Sequence, residues 1–221
     1  MIILAIFDRE ERVVLILLAL LIGQAEQAIQ PSPDQIMEKA WAKNISDGQA
    51  LKRYSFDVIR NQKLSDGQSD EDGVGDRVTI QELFGRDRYR YELLGSFVIG
   101  ERQMYMIDFS PAAKQPSTPD NASRRGKIKN LILNHLRGVI YVDKADYGIA
   151  RVITHVHKPP AKIYKVGRLY VMEAMFEQVR REDIWVPSEV IVAAEYSYFL
   201  GIKRSRENTR IRFENYQPKA P

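Results

Sequence analysis

The chain has three histidines, and two of them, His155 and His157, stand two residues apart. On a β-strand that spacing puts both on one face, where they could chelate a metal. A third ligand is not evident, because His135 belongs to a different element, and the plainer reading is a polar strand face near a rim. Other reactive constellations are missing. The 221 residues include no cysteine, which excludes disulfides, thiolate metal sites, cysteine nucleophiles and a lipidated cysteine. No G-x-S-x-G stretch supplies a nucleophile elbow, and neither a P-loop nor G-x-G-x-x-G supplies a phosphate cradle. Asp66, Asp70, Glu71 and Asp72 lack the calcium-loop spacing and read as a solvated turn. No catalytic residue, metal or cofactor is expected: the chain reads as a binding protein, not an enzyme.

What the sequence does supply is apolar surface. In Val186 to Leu200 one face carries Val190, Val192, Ala194, Tyr196 and Tyr198, and the other carries Ile191, Ala193 and Phe199 beside Glu189 and Glu195. In Leu169 to Val179 the faces are Leu169, Val171, Met175 and Val179 against Tyr170, Met172, Ala174 and Phe176. A sheet with one face in water alternates more cleanly. These strands are therefore covered on both sides or curved around something apolar. The expected lining of an apolar hollow is Phe56, Val171, Met175, Val190, Val192, Tyr196 and Tyr198. A one-residue register error would exchange the faces.

The elements that must carry this surface follow from spacing. Ser32-Pro33-Asp34-Gln35 forms a capping box with proline in the first turn. Ile36, Met37, Ala40, Trp41 and Ile45 then recur at helical spacing, and Asp47-Gly48 is expected to end the helix. Strands are predicted at Tyr54 to Val58, at Val78 and Ile80, around Arg86 to Tyr91, and at Met104 to Phe109. Ser65 to Gly75 reads as a turn, and Ser110 to Ser123, with its prolines, as irregular. A second helix is predicted over Lys127 to Leu136, stopped by Gly138. A hairpin then joins Val139–Asp143 to Ile149–His157, and three long strands close the chain at Leu169–Val179, Val186–Leu200 and Ser205–Tyr216. The last sets Thr209, Ile211 and Phe213 against Arg206, Arg210 and Arg212, so one of its faces is wet. About eight or nine strands joined by short links make an antiparallel sheet. Two short helices need a surface to pack on. Ile36, Met37, Trp41, Ile128, Leu131 and Ile132 are expected to cover the concave side of that sheet.

Val13 to Gly23 is a run of eleven uncharged residues, too short to cross a bilayer, which needs about 20. Arg9 and Arg12 precede it, and Gly23-Gln24-Ala25 and Ala28 follow, so residues 1–28 are expected to be a secretory signal peptide. The alternatives are an uncleaved anchor or a buried first element of the domain. Residues 29–221 are expected to form a single domain. Basic and acidic residues number 33 and 29, a net charge of +4. They are mixed along the chain, which argues against a nucleic-acid partner.

Four stretches in the second half carry a resemblance. They are Leu136-Arg137-Gly138-Val139-Ile140-Tyr141-Val142-Asp143, Tyr147-Gly148-Ile149-Ala150-Arg151, Phe176-Glu177-Gln178-Val179 and Ile184-Trp185-Val186-Pro187. Their order resembles the outer-membrane lipoprotein-sorting group, the LolA/LolB-like periplasmic carriers and receptors. The resemblance implies an α+β fold, mainly β: an incomplete antiparallel β-barrel wrapped around helices, with a hollow for acyl chains. It assigns no binding residue, since Asp143 and Tyr147 shape a turn and Trp185 and Pro187 a strand start. The implied function is a non-enzymatic, monomeric protein of the periplasm or cell envelope. Its partners would be lipid or acylated lipoprotein, with membrane-associated delivery proteins. The competing reading is an envelope sensor or protein-interaction module without lipid transport.

Overall fold

A computed structural model describes residues 30–62, 88–117, 122–158, 167–198 and 203–219. The expected signal segment, the Ser65 to Gly75 turn and the strand at Val78 and Ile80 lie outside the described residues. The chain divides into Met1–Ser32 and Pro33–Pro221. The second unit holds helix α1 (Pro33–Leu51), strands β1 (Tyr54–Gln62), β2 (Tyr89–Ile99) and β3 (Arg102–Pro111), and helix α2 (Arg124–Leu133). Strands β4 (Leu136–Asp143), β5 (Ile149–Val156), β6 (Arg168–Arg181), β7 (Ile184–Tyr198) and β8 (Lys203–Pro218) follow.

The eight described strands form one antiparallel sheet in the order β1-β8-β7-β6-β5-β4-β3-β2. Among the described residues the fold is mainly β with two helices, and the sheet is not closed. β1 and β2 follow one another in sequence but occupy its opposite edges.

Directly paired residues on neighbouring strands point to the same face, so the register reads out each face. One row runs Ile107, Ile140, Val152, Phe176, Val190 and Ile211 across β3 to β8. This inner face also carries Phe109, Leu136 and Leu169. These residues join Ile36, Met37 and Ala40 of α1 and Leu133 of α2 in one buried cluster, with Trp41 and Ile132 packed against it. Both helices therefore cover the same face, as their apolar stripes require. Each fully buried aliphatic side chain contributes about 1.5–3 kcal/mol. The outer face carries the row Val139, Ile153, Met175, Ile191 and Arg210.

Three local expectations are corrected. Asp47-Gly48 does not end α1, which continues to Leu51. Asp47 is buried instead and accepts hydrogen bonds from Lys43 Nζ at 2.6 Å and from the Trp185 amide at 3.1 Å. α2 starts and stops about three residues early, capped by Ser123 Oγ, which accepts from the Gly126 amide at 3.0 Å. Leu133 rather than Leu131 then reaches the buried cluster, and its carbonyl accepts from Tyr89 Oη at 2.6 Å. Gly138 is no helix stop: it lies within β4 opposite Thr154. A Cβ there would meet the Ile153 carbonyl oxygen at 1.9 Å.

Gly148 meets the same constraint at the hairpin turn, where a Cβ would fall 1.8 Å from Trp185 Nε1. Gly148→Ala should therefore lower stability by about 1–3 kcal/mol, the usual cost of overpacking. A Cβ at Gly48 meets nothing within 4 Å in the last turns of α1, so Gly48→Ala should raise stability by about 0.5–1 kcal/mol. Urea midpoints at constant slope report both.

Candidate functional site

One end of the sheet is fixed by a polar network. Asp143 Oδ1 accepts from the amides of Ala145 (2.7 Å) and Asp146 (3.2 Å), which folds the β4–β5 turn, and Oδ2 accepts from Arg102 Nε at 2.5 Å. Asp146 accepts from the Gly148 amide at 2.9 Å and from Trp185 Nε1 at 3.1 Å, and pairs with Arg180 Nε at 3.1 Å. Tyr147 takes the left-handed conformation, φ 61°, that closes the turn. The Trp185 ring packs with Met104 and Ala150 under the Arg102 guanidinium. Lys43 of α1 also donates to the Asp183 carbonyl at 2.7 Å, so the helix is tied to the β6–β7 turn.

Burial by itself would raise the Asp143 pKa. The Arg102 hydrogen bond, the two amides and the Arg102 charge outweigh it and hold the carboxyl below its ordinary value. Tyr216, buried on β8 with its hydroxyl donating to the Pro187 carbonyl at 2.5 Å, has its phenol pushed up to about 12 by burial against a smaller opposing effect of Arg181.

The register divides the expected lining. Val190, Val192 and Tyr196 stand on the inner face, because they pair with Phe176, Ala174 and Leu169. Phe56 joins them through ring contacts with Phe213 and Tyr216, centroids 5.9 and 5.1 Å apart. Val171 and Met175 do not. They pair with Glu195 and Ile191 on the outer face. A shift between Leu169 and Val171 breaks the alternation and turns Leu169 inward and Val171 outward. The β6 residues that belong with Val190 and Val192 are Phe176 and Ala174. The Tyr198 side chain lies outside the described set. Sequence reasoning also left out Ile211 and Phe213, which the wet-and-dry alternation of β8 had already marked as its dry side.

Burial changes along the inner row. Ile107, Ile140 and Val152 are 0%, 0% and 2% exposed, whereas Phe176, Val190 and Ile211 are only half-buried. At the β1 edge Val58, opposite Phe213, is 49% exposed. The fully buried part of this row lies on β3 to β5, α1 also meets β2 and the start of β7, and the apolar face continues to β8 with less cover. A groove of about 380 Å3 lies elsewhere, lined by Glu101, Arg102, Gln103, Asp143, Lys144 and Ala145. Its walls are charged, unlike the apolar hollow expected from the sequence.

The histidines come closer than their elements suggested. The His157 amide donates to the His135 carbonyl at 2.8 Å, and His155 pairs with Arg137 and Glu173. Among the described residues, no three His, Asp or Glu side chains are grouped to hold a metal ion. No described helix is long and apolar enough to cross a membrane.

No protein-family model matches the chain, and no curated protein matches it. Among solved structures it is similar to the LolA superfamily protein NE2245 from Nitrosomonas europaea. The TM-score is 0.31 and the sequence identity 10%, over 76% of this chain and 64% of that one. The chain thus spans less than two thirds of that protein's length. So remote a likeness does not place it in that superfamily.

The depressed Asp143 pKa has a definite sign. A carboxyl with a lowered folded pKa adds stability above its unfolded value, near pH 4, and loses it as pH falls through the folded value. Asp143→Asn should cost on the order of 2 kcal/mol at pH 7, between the exposed-pair and buried-pair ranges, because Arg102 keeps 33% of its side chain exposed. Its urea midpoint should also fall less than that of the wild type on acidification below about pH 4. Parallel profiles would show that Asp143 contributes nothing to acid sensitivity.

Proposed function

We propose that this protein is a non-enzymatic cell-envelope carrier that holds lipid, or the acyl chains of lipoproteins, against the inner face of β7, β8 and β1. One observation supports the reading: an apolar row that starts fully buried at β3 and β4 continues, half-covered, as far as β8, next to the edge strand β1. A hydrocarbon chain laid along it removes water from both surfaces, at about 0.8 kcal/mol per buried methylene. Among the described residues no three His, Asp or Glu side chains are grouped on this face. In this reading residues 1–28 direct export, and membrane-associated proteins deliver and receive the cargo.

A second reading rests on β2. It is an edge strand with Leu94, Phe97 and Val98 exposed. An edge of the described sheet with apolar flanks suits strand addition by a partner protein, as in a sensor or interaction module.

A substitution on each face tests the carrier reading. Val192→Glu puts an unpaired charge on the inner face, where its desolvation opposes an apolar guest. It should weaken binding of a fluorescent fatty acid about tenfold or more. Arg210→Glu changes the outer face, where Arg210 Nε meets Glu189 at 2.6 Å, and should leave binding within about twofold. Both variants must retain the wild-type circular dichroism spectrum. Equal binding by wild type and Val192→Glu contradicts this lining, and no binding by the wild type contradicts the carrier.

A further inference from the structure

The inner row does not end on an apolar residue. Ile211, its last member on β8, pairs with Arg60 on β1. Arg60 therefore stands on the same face as Val190 and Ile211, two residues from Val58, which pairs with Phe213. It is exposed, and among the described residues no carboxylate is paired with it. The neighbouring arginines differ. Arg204, Arg210 and Arg212 of β8 point to the outer face, where they pair with Glu195, Glu189 and Glu214. The acid of β1, Asp57, also lies outward, opposite Glu214, and accepts from Asn215 Nδ2 at 2.7 Å. The other charges on the inner side of β8 are Lys203, opposite Tyr198, and Glu207, opposite Ala194, both toward the start of the strand, where Glu207 accepts from Tyr196 Oη. The apolar strip thus has a cation at the β1 edge, and the nearest acid on its face is already hydrogen-bonded.

We propose that Arg60 receives the headgroup of an anionic, single-chain amphiphile whose hydrocarbon lies along Ile211, Phe213, Val190 and Val192. This rests on the carrier reading and adds to it the charge and orientation of the ligand. A guanidinium on a solvated edge offers a planar pair of N–H donors that matches a carboxylate or phosphate headgroup. The apolar row supplies affinity for the chain, and Arg60 sets which end of the amphiphile faces water.

Calorimetric titration of the full chain with dodecanoate, dodecanol and dodecyltrimethylammonium separates these contributions at constant chain length. Dodecanoate should bind at least tenfold more tightly than dodecanol, and the cation more weakly than either. Arg60→Gln should bring dodecanoate to within about twofold of dodecanol without changing dodecanol binding. Arg60→Lys should keep part of the preference. Equal affinity of the wild type for dodecanoate and dodecanol would overturn the Arg60 assignment and leave the carrier reading standing. So would an equal loss of both ligands in Arg60→Gln. No binding of any dodecyl compound would overturn the carrier reading and this inference with it.

Discussion

The arrangement of the sheet depends on two aspartates in one turn. Asp143 and Asp146 fold the β4–β5 turn with their own backbone and then bind Arg102 of β3, Arg180 of β6 and the indole of Trp185 on β7. The Trp185 amide in turn reaches Asp47 of α1. Four strands and a helix meet in one set of charge-assisted hydrogen bonds, which are about twice as strong as neutral ones. Gly148 has no side chain because the indole occupies that space. The network holds α1 against one face, and so decides which face becomes the core.

That choice leaves the sheet unevenly covered. The inner row is fully buried on β3, β4 and β5 and only half-buried on β6, β7 and β8, which with 14, 15 and 16 residues extend well beyond the 8-residue strands β4 and β5. Interiors pack at nearly crystalline density, so a face that stays apolar without being packed stands out against the rest of the core. The outer face has its own half-buried row at Val139, Met175 and Ile191. It is flanked there by the ion pairs Arg151–Glu177 and Arg210–Glu189, which suit a surface in contact with water. The two faces of the long strands look alike in composition and differ in what surrounds them.

That difference sets what the sequence could reveal. The strand count, the antiparallel order, the β4–β5 hairpin and the shared face of the two helices were legible, because alternation and helical period are local signals. The wet face of β8 was legible for the same reason. Which residues of the long strands share a face was only half legible. Val190 and Val192 are one strand apart from Met175 in the sheet, and a shift at Leu169 to Val171 places Val171 with the outer set. No local pattern marks such a shift when both faces are apolar. Asp47 shows the opposite failure. Before a glycine it reads as a helix end, and only the long-range bond to Trp185 explains why the helix runs on. Arg60 carried no signal either, since its place at the end of an apolar row exists only once β1 pairs with β8.

The claim that matters most is that the inner face of β7, β8 and β1 is the one that takes an apolar chain. Methyl-labelled protein titrated with a spin-labelled fatty acid tests it directly, because side chains on the two faces respond separately. The account predicts that the methyl signals of Val58, Val190, Val192 and Ile211 broaden first and that those of Val139, Ile153 and Ile191 persist. Broadening of the Ile153 and Ile191 set, with the inner set unchanged, would contradict it.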